Sequence, residues 1–84
     1  IGQALVHYRD AIRYCEIMGE LYLAGMYRYN VALTLEVAGR FSDALDYAEA
    51  ALRNYETYGE SAAADIQDTR ELIAKIEQDM ESRG

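Results

Sequence analysis

The feature that most limits what this chain can fold into is an internal repeat. Sliding the sequence on itself by 40 residues pairs the segment from Ala4 to Glu20 with the segment from Ala44 to Glu60. Seven of the seventeen pairs are identical (Ala4/Ala44, Leu5/Leu45, Ala11/Ala51, Arg13/Arg53, Glu16/Glu56, Gly19/Gly59, Glu20/Glu60), and Ile12/Leu52 is conservative. Unrelated segments of ordinary composition would share about one. Self-similarity at such a period marks stacked supersecondary units, each contacting its neighbours, rather than one closed core. Gly39 lies midway, so glycines recur at positions 19, 39 and 59. Each can close a helix by taking the left-handed backbone conformation at its end. Four antiparallel helices of similar length are predicted.

Composition agrees with an all-α reading. There is no Pro, Gly occupies 6 positions, and Ala, Leu, Glu, Arg and Tyr dominate, a mixture that favours helix and offers strands few turn signals. The third helix is the clearest, with Ser42 as its expected N-cap and an apolar stripe of Ala44, Leu45, Ala48, Ala51, Leu52 and Tyr55 at helical spacing. The first helix repeats this with Ala4, Leu5, Tyr8, Ala11, Ile12 and Cys15. The fourth, with Ser61 as its expected N-cap, carries Ala62, Ile66, Thr69, Ile73, Ile76 and Met80, and becomes strongly polar towards its end, as a capping helix should. The second differs: Ala24, Val31, Leu35 and Ala38 form one stripe, and Met26, Tyr29, Leu33 and Val37 form another on a different side. A helix apolar on two faces is sandwiched between neighbours or presents a binding surface, and in a stack of helix pairs both hold.

Several function classes lose their physical basis at this point. With 84 residues the chain has room for one small core and no second domain. A net charge of −7 opposes polyanions, because nucleic acids and anionic membranes are bound largely through Lys and Arg. No apolar run reaches the length of a membrane span, and no basic leader with a cleavage site opens the chain. One cysteine forms neither an internal disulfide nor a Cys-x-x-Cys site, which fits a cytoplasmic setting. His7 and Cys15 stand eight residues apart on one helix, about 12 Å along its axis, too far for a Cys-His dyad. His7 and Asp10 lack a third metal ligand, and no Gly-rich phosphate loop or Glu-x-x-His pair is present. No enzymatic activity, metal or cofactor is expected.

From Gly25 to Arg53 the sequence resembles a tetratricopeptide repeat, a helix-turn-helix unit with a signature of Trp, Leu, Gly and Tyr in its first helix and Ala, Phe, Ala and Pro in its second. Val31, Ala32 and Leu35 fill the Leu, Gly and Tyr slots, Gly39 and Phe41 sit in the turn, and Ala44, Ala51 and Leu52 fill close-packing slots. Departures are Arg28 in the Trp slot, Ala48 in the Phe slot and Glu56 in the Pro slot, and the period of 40 exceeds the usual 34. Longer periods are similar to those of kinesin light chains and of sensor arrays on bacterial signalling ATPases. The resemblance divides the chain into 1–19, the second helix of a preceding repeat; 20–59, one full repeat; and 60–84, a following or capping helix.

The resemblance also implies a function, a scaffold that binds a protein or peptide on a concave face. Met26, Tyr29, Leu33 and Val37 lie on the helix face that lines this groove in the family, and Asn30 matches an asparagine that bonds a bound peptide's backbone. The 40-residue offset brings Ile66, Thr69, Arg70 and Ile73 into the neighbouring groove positions, with Arg70 as its cation. The alternative is a self-association module. If the first helix lacks its own partner, Leu5, Tyr8 and Ile12 stay open unless a second copy covers them as a homodimer.

Overall fold

The three evenly spaced glycines set the architecture. Gly19, Gly39 and Gly59 take φ of 75°, 79° and 58°, the left-handed region that a side chain disfavours. The computed structural model describes residues 2–83. Among them the chain is all-α: α1 (Gly2–Met18), α2 (Leu21–Val37), α3 (Phe41–Glu56) and α4 (Ala63–Arg83), with a 3₁₀ turn over Gly59–Ala62 and no strand.

At Gly19 the Glu20 N–H donates to the Cys15 carbonyl at 2.8 Å and the Gly19 N–H to that of Glu16 at 3.3 Å. At Gly39 the Arg40 N–H donates to Leu35 at 2.9 Å and the Gly39 N–H to Glu36 at 3.0 Å. Both turns therefore recapture the last carbonyls of the helix they end and reverse the chain within a few residues. Gly59 behaves differently and leads into the 3₁₀ turn before α4 begins. The expected caps are displaced: α3 starts at Phe41 after Arg40, which puts Ser42 inside the helix, and Ser61 lies within the 3₁₀ turn. The tight turns leave no separate capping residue, and the Glu20 and Arg40 carbonyls accept directly from Ala24 and Ala44 at 3.0 Å each.

Because the turns are short, α2 lies antiparallel between α1 and α3, and α4 packs on α3 with one flank touching α2. The α2–α3 pair is the tightest. Ala32 shares one core cluster with Ala44 and Ala48, and Ala51 belongs to a second cluster with Tyr55; all four alanines are fully buried. Gly25 completes this contact, since a Cβ there would stand 3.1 Å from both Asn54 Cβ and Tyr55 Cε1. Such small residues let two helix axes approach towards the short end of the usual 8–10 Å range. Ile12, Val31, Leu35, Leu72 and Ile76 fill the remaining core.

One expectation is corrected here. Leu5, Tyr8 and Ile12 do not form an open interface: Ile12 is buried, and Leu5 and Tyr8 pack against the same core. The α1 stripe is satisfied by α2, with Tyr8 against the Tyr27 ring at 5.8 Å between centroids. The outward side of α1 carries Val6, Tyr14, Ile17 and Met18 instead.

A polar brace locks three helices together. Arg28 of α2 donates through Nη1 to Asn54 Oδ1 of α3 at 2.6 Å and through Nη2 to Glu16 Oε2 of α1 at 2.9 Å. Asn54 Nδ2 in turn donates to the Leu21 carbonyl at 3.1 Å. Asn54 is buried, so its removal deletes two hydrogen bonds from the junction, one of them to the half-buried Arg28 guanidinium, which keeps its bond to Glu16. Asn54→Ala is expected to lower stability by about 1–3 kcal/mol in chemical denaturation, the usual net contribution of two such hydrogen bonds when one engages a charged group. A loss within experimental error would show that water replaces the amide freely.

Candidate functional site

Packing α2 on two sides uses Ala24, Val31 and Leu35 on one flank and Gly25 and Ala32 on the adjoining one. The opposite side carries the second apolar stripe, and it remains open. Met26 is 41% exposed, Leu33 38% and Val37 84%, with Asn30 exposed between them. Leu23 continues the stripe by one turn. Positions 23, 26, 30, 33 and 37 advance by alternating steps of three and four, so they form one band along the helix.

Tyr29 lies at the border of this band rather than on it. It is half-buried, and its ring packs against both core clusters. Its hydroxyl is held above the ordinary tyrosine value, first by desolvation and then by the nearby carboxylates of Asp68 and Glu71. Among the described residues the Asn30 side chain has no hydrogen-bond partner, while its carbonyl accepts from the Thr34 hydroxyl at 3.0 Å.

The structure does not bring the expected α4 residues to the groove. Thr69 is fully buried and its hydroxyl donates to the Asp65 carbonyl at 2.7 Å. Ile66 packs against Ala51, Tyr55 and Ala62, and Ile73 against the main core. Arg70 projects from the far flank and reaches Glu56 of α3 at 3.5 Å. The cause is helical phase. The 3₁₀ turn at Gly59–Ala62 breaks the 40-residue register, so α4 turns its Thr69, Leu72 and Ile76 side onto α3.

What α4 gives to the groove is a charged rim. Tyr29, Leu33, Asp68, Glu71, Leu72 and Lys75 line a cleft of about 240 Å³ between α2 and α4. A second depression of about 410 Å³, formed by Leu33, Thr34, Val37 and Ala38, adjoins it through Leu33. Lys75 is tied down: its Nζ donates to Glu36 Oε2 at 2.7 Å and to Asp79 Oδ2 at 3.2 Å, and these bonds, Glu36 first, hold its pKa above the usual lysine value. The spacing of Asp68, Leu72, Lys75 and Asp79 is itself helical and could have revealed this flank from sequence.

At the other end of α2 the Tyr22 hydroxyl donates to Asp65 Oδ2 at 2.6 Å, and the Tyr58 hydroxyl accepts the Tyr22 backbone N–H at 3.0 Å. Tyr55 packs edge-on against Tyr22 at 5.5 Å. These contacts tether α4 to the start of α2 and fix the cleft's width. Cys15 is buried, and His7 is exposed. Among the described residues no three His, Cys, Asp or Glu side chains converge on a metal-sized site, and no helix is long and apolar enough to cross a membrane. Comparison with known proteins returns no matching family model, curated protein or solved structure.

The tyrosine cluster makes stability depend on alkaline pH. Tyr55 is pushed up mainly by desolvation, and Tyr22 mainly by its bond to Asp65, from an ordinary value of 10.0. Above that value the unfolded chain loses phenolic protons that the folded chain keeps, which favours unfolding. Stability should therefore be full below about pH 10 and fall as pH rises through the raised values, in the same direction as the Lys75 contribution. Urea midpoints should show this decline, and Tyr55→Phe should flatten it. A midpoint constant to strong alkali would contradict the assignment.

Proposed function

We propose that this chain is a helical-repeat scaffold of the tetratricopeptide kind, which docks a segment of a partner protein on the outer face of α2 with α4 as its rim. The observation that carries this reading is the continuous band of Leu23, Met26, Leu33 and Val37, left open although α2 is packed on two other sides. Exposed apolar side chains at helical spacing supply anchors for an amphipathic partner, and contiguous patches of this sort mark interaction sites. The packing of Ala32 with Ala44 and Ala48, and the full burial of Ala51, support the repeat assignment, since these include the slots where that family needs small residues. Asn30, exposed in the middle of the band, is the group placed to bond a partner's backbone.

Self-association is the second reading, favoured by the outward side of α1. Tyr14 is 64% exposed and Ile17 73%, with Val6 and Met18 beside them, enough apolar surface for a second copy to cover. That reading predicts a melting temperature that rises with protein concentration and loses this dependence in Ile17→Lys. Concentration-independent melting of a monomer would remove it.

The docking reading is tested by panning a random peptide display library against the purified chain. Enriched peptides should carry apolar residues at helical or alternate spacing. Their affinity should fall at least about tenfold for Leu33→Ser, because an apolar anchor of this size contributes about 1.5–3 kcal/mol and tenfold is about 1.4 kcal/mol. Circular dichroism should be unchanged, since Leu33 is no part of the core. Enriched peptides indifferent to both Met26→Ser and Leu33→Ser would place the binding surface elsewhere.

A further inference from the structure

We propose that the segment docked on α2 is cationic along one edge, a basic amphipathic stretch of a partner protein; this rests on the docking reading above. The inference comes from how charge is distributed around the apolar band. Along its α4 side stand Glu36, Asp68, Glu71 and Asp79, against the ammonium of Lys75 and, at the Val37 end beside Asp79, the guanidinium of Arg83. Lys75 is already shared between Glu36 and Asp79. Glu71 accepts only from the neutral amide of Gln67, at 3.0 Å, and Asp68 enters no ion pair among the described residues. Two carboxylates one helical turn apart therefore border Leu33 with their charge uncompensated.

On the band's other side the next residues of α2 are Tyr27 and Thr34, both uncharged, and Asn30 within the band is uncharged as well. The field across the groove is thus lopsided, negative on the α4 edge and neutral on the other. A docked helix or strand that seats apolar side chains on Met26, Leu33 and Val37 would bring its flanking residues within a Debye length, about 8 Å at physiological salt, of Asp68 and Glu71. Lys or Arg at those flanking positions gains attraction next to low-dielectric surface, and Asp or Glu there is repelled. The same field argues against a second copy as occupant, since each chain carries a net charge of −7.

Three fluorescein-labelled helical peptides provide the probe, each with the same leucine stripe and with Lys, Gln or Glu at every other position, read by fluorescence anisotropy. The Lys peptide should bind at least about tenfold more tightly than the Glu peptide at low salt, with a preference that shrinks as salt shortens the Debye length. The double variant Asp68→Asn, Glu71→Gln should cut that preference severalfold and change the Gln peptide's affinity far less than the Lys peptide's. Leu33→Ser should weaken all three. Equal binding of the Lys and Glu peptides, with both sensitive to Leu33→Ser, would overturn the charge inference and leave the docking surface in place. A Lys preference untouched by the double variant would also overturn it, by tracing the attraction to net charge elsewhere. Failure of all three peptides to bind would overturn the docking reading itself.

Discussion

The contact on which the rest of this structure depends is the close approach of α2 to α3 through alanine and glycine. Ala32, Ala44, Ala48 and Ala51 are fully buried, and Gly25 lets the α2 backbone come against Asn54 and Tyr55. Residues this small contribute little apolar area each; their effect is to bring the helices close enough for Val31, Leu35, Leu72 and Ile76 to share one core. With α1 on its other flank, α2 has two of its sides committed to packing. Its third side is then free to be apolar without being buried, and that surface is the candidate site.

Polar groups fix the relative positions that apolar packing alone leaves soft. Arg28 ties α2 to Glu16 of α1 and Asn54 of α3, and two bonds tie α2 to α4 at opposite ends of the cleft, Tyr22 of α2 to Asp65 of α4 and Lys75 of α4 to Glu36 of α2. The exposed pairs among these contribute little stability individually. The buried Asn54 is different, because a bonded buried amide has one geometry in which its donors and acceptors are all met. Arg28, with a long stem and a forked head, bonds to α1 and α3 at once.

Helix number, the short turns and the sandwiched character of α2 were legible in the sequence because glycine conformation and apolar spacing are local properties. Gly19, Gly39 and Gly59 all adopt the backbone that their period implied. Met26, Leu33 and Val37 of the outer stripe were legible for the same reason, since a second stripe on one helix is visible without knowing its neighbours, whereas Tyr29, assigned to it by spacing, packs against the core at its border. The α4 half of the site was not. A repeat offset carries a residue correctly only while the helical phase is preserved, and the 3₁₀ turn at Gly59–Ala62 changes that phase. A residue two positions along a helix points about 200° away, which is why Asp68 borders the groove while Arg70 faces Glu56. The open stripe assigned to α1 failed for another reason: Leu5, Tyr8 and Ile12 find their partner in the helix that follows them in the chain.

In the proposed docking the α2 band and the α4 carboxylates act as a single surface. Nitrogen-15 amide spectra recorded while the leucine–lysine peptide is titrated into the labelled chain test it most directly, because every helix reports separately. The account predicts shifts that saturate together at Met26, Asn30, Leu33 and Val37 of α2 and at Asp68, Glu71 and Lys75 of α4, with α1 and the exposed side of α3 unmoved. Saturating shifts centred on Tyr14 and Ile17 of α1, with the α2 band silent, would contradict it.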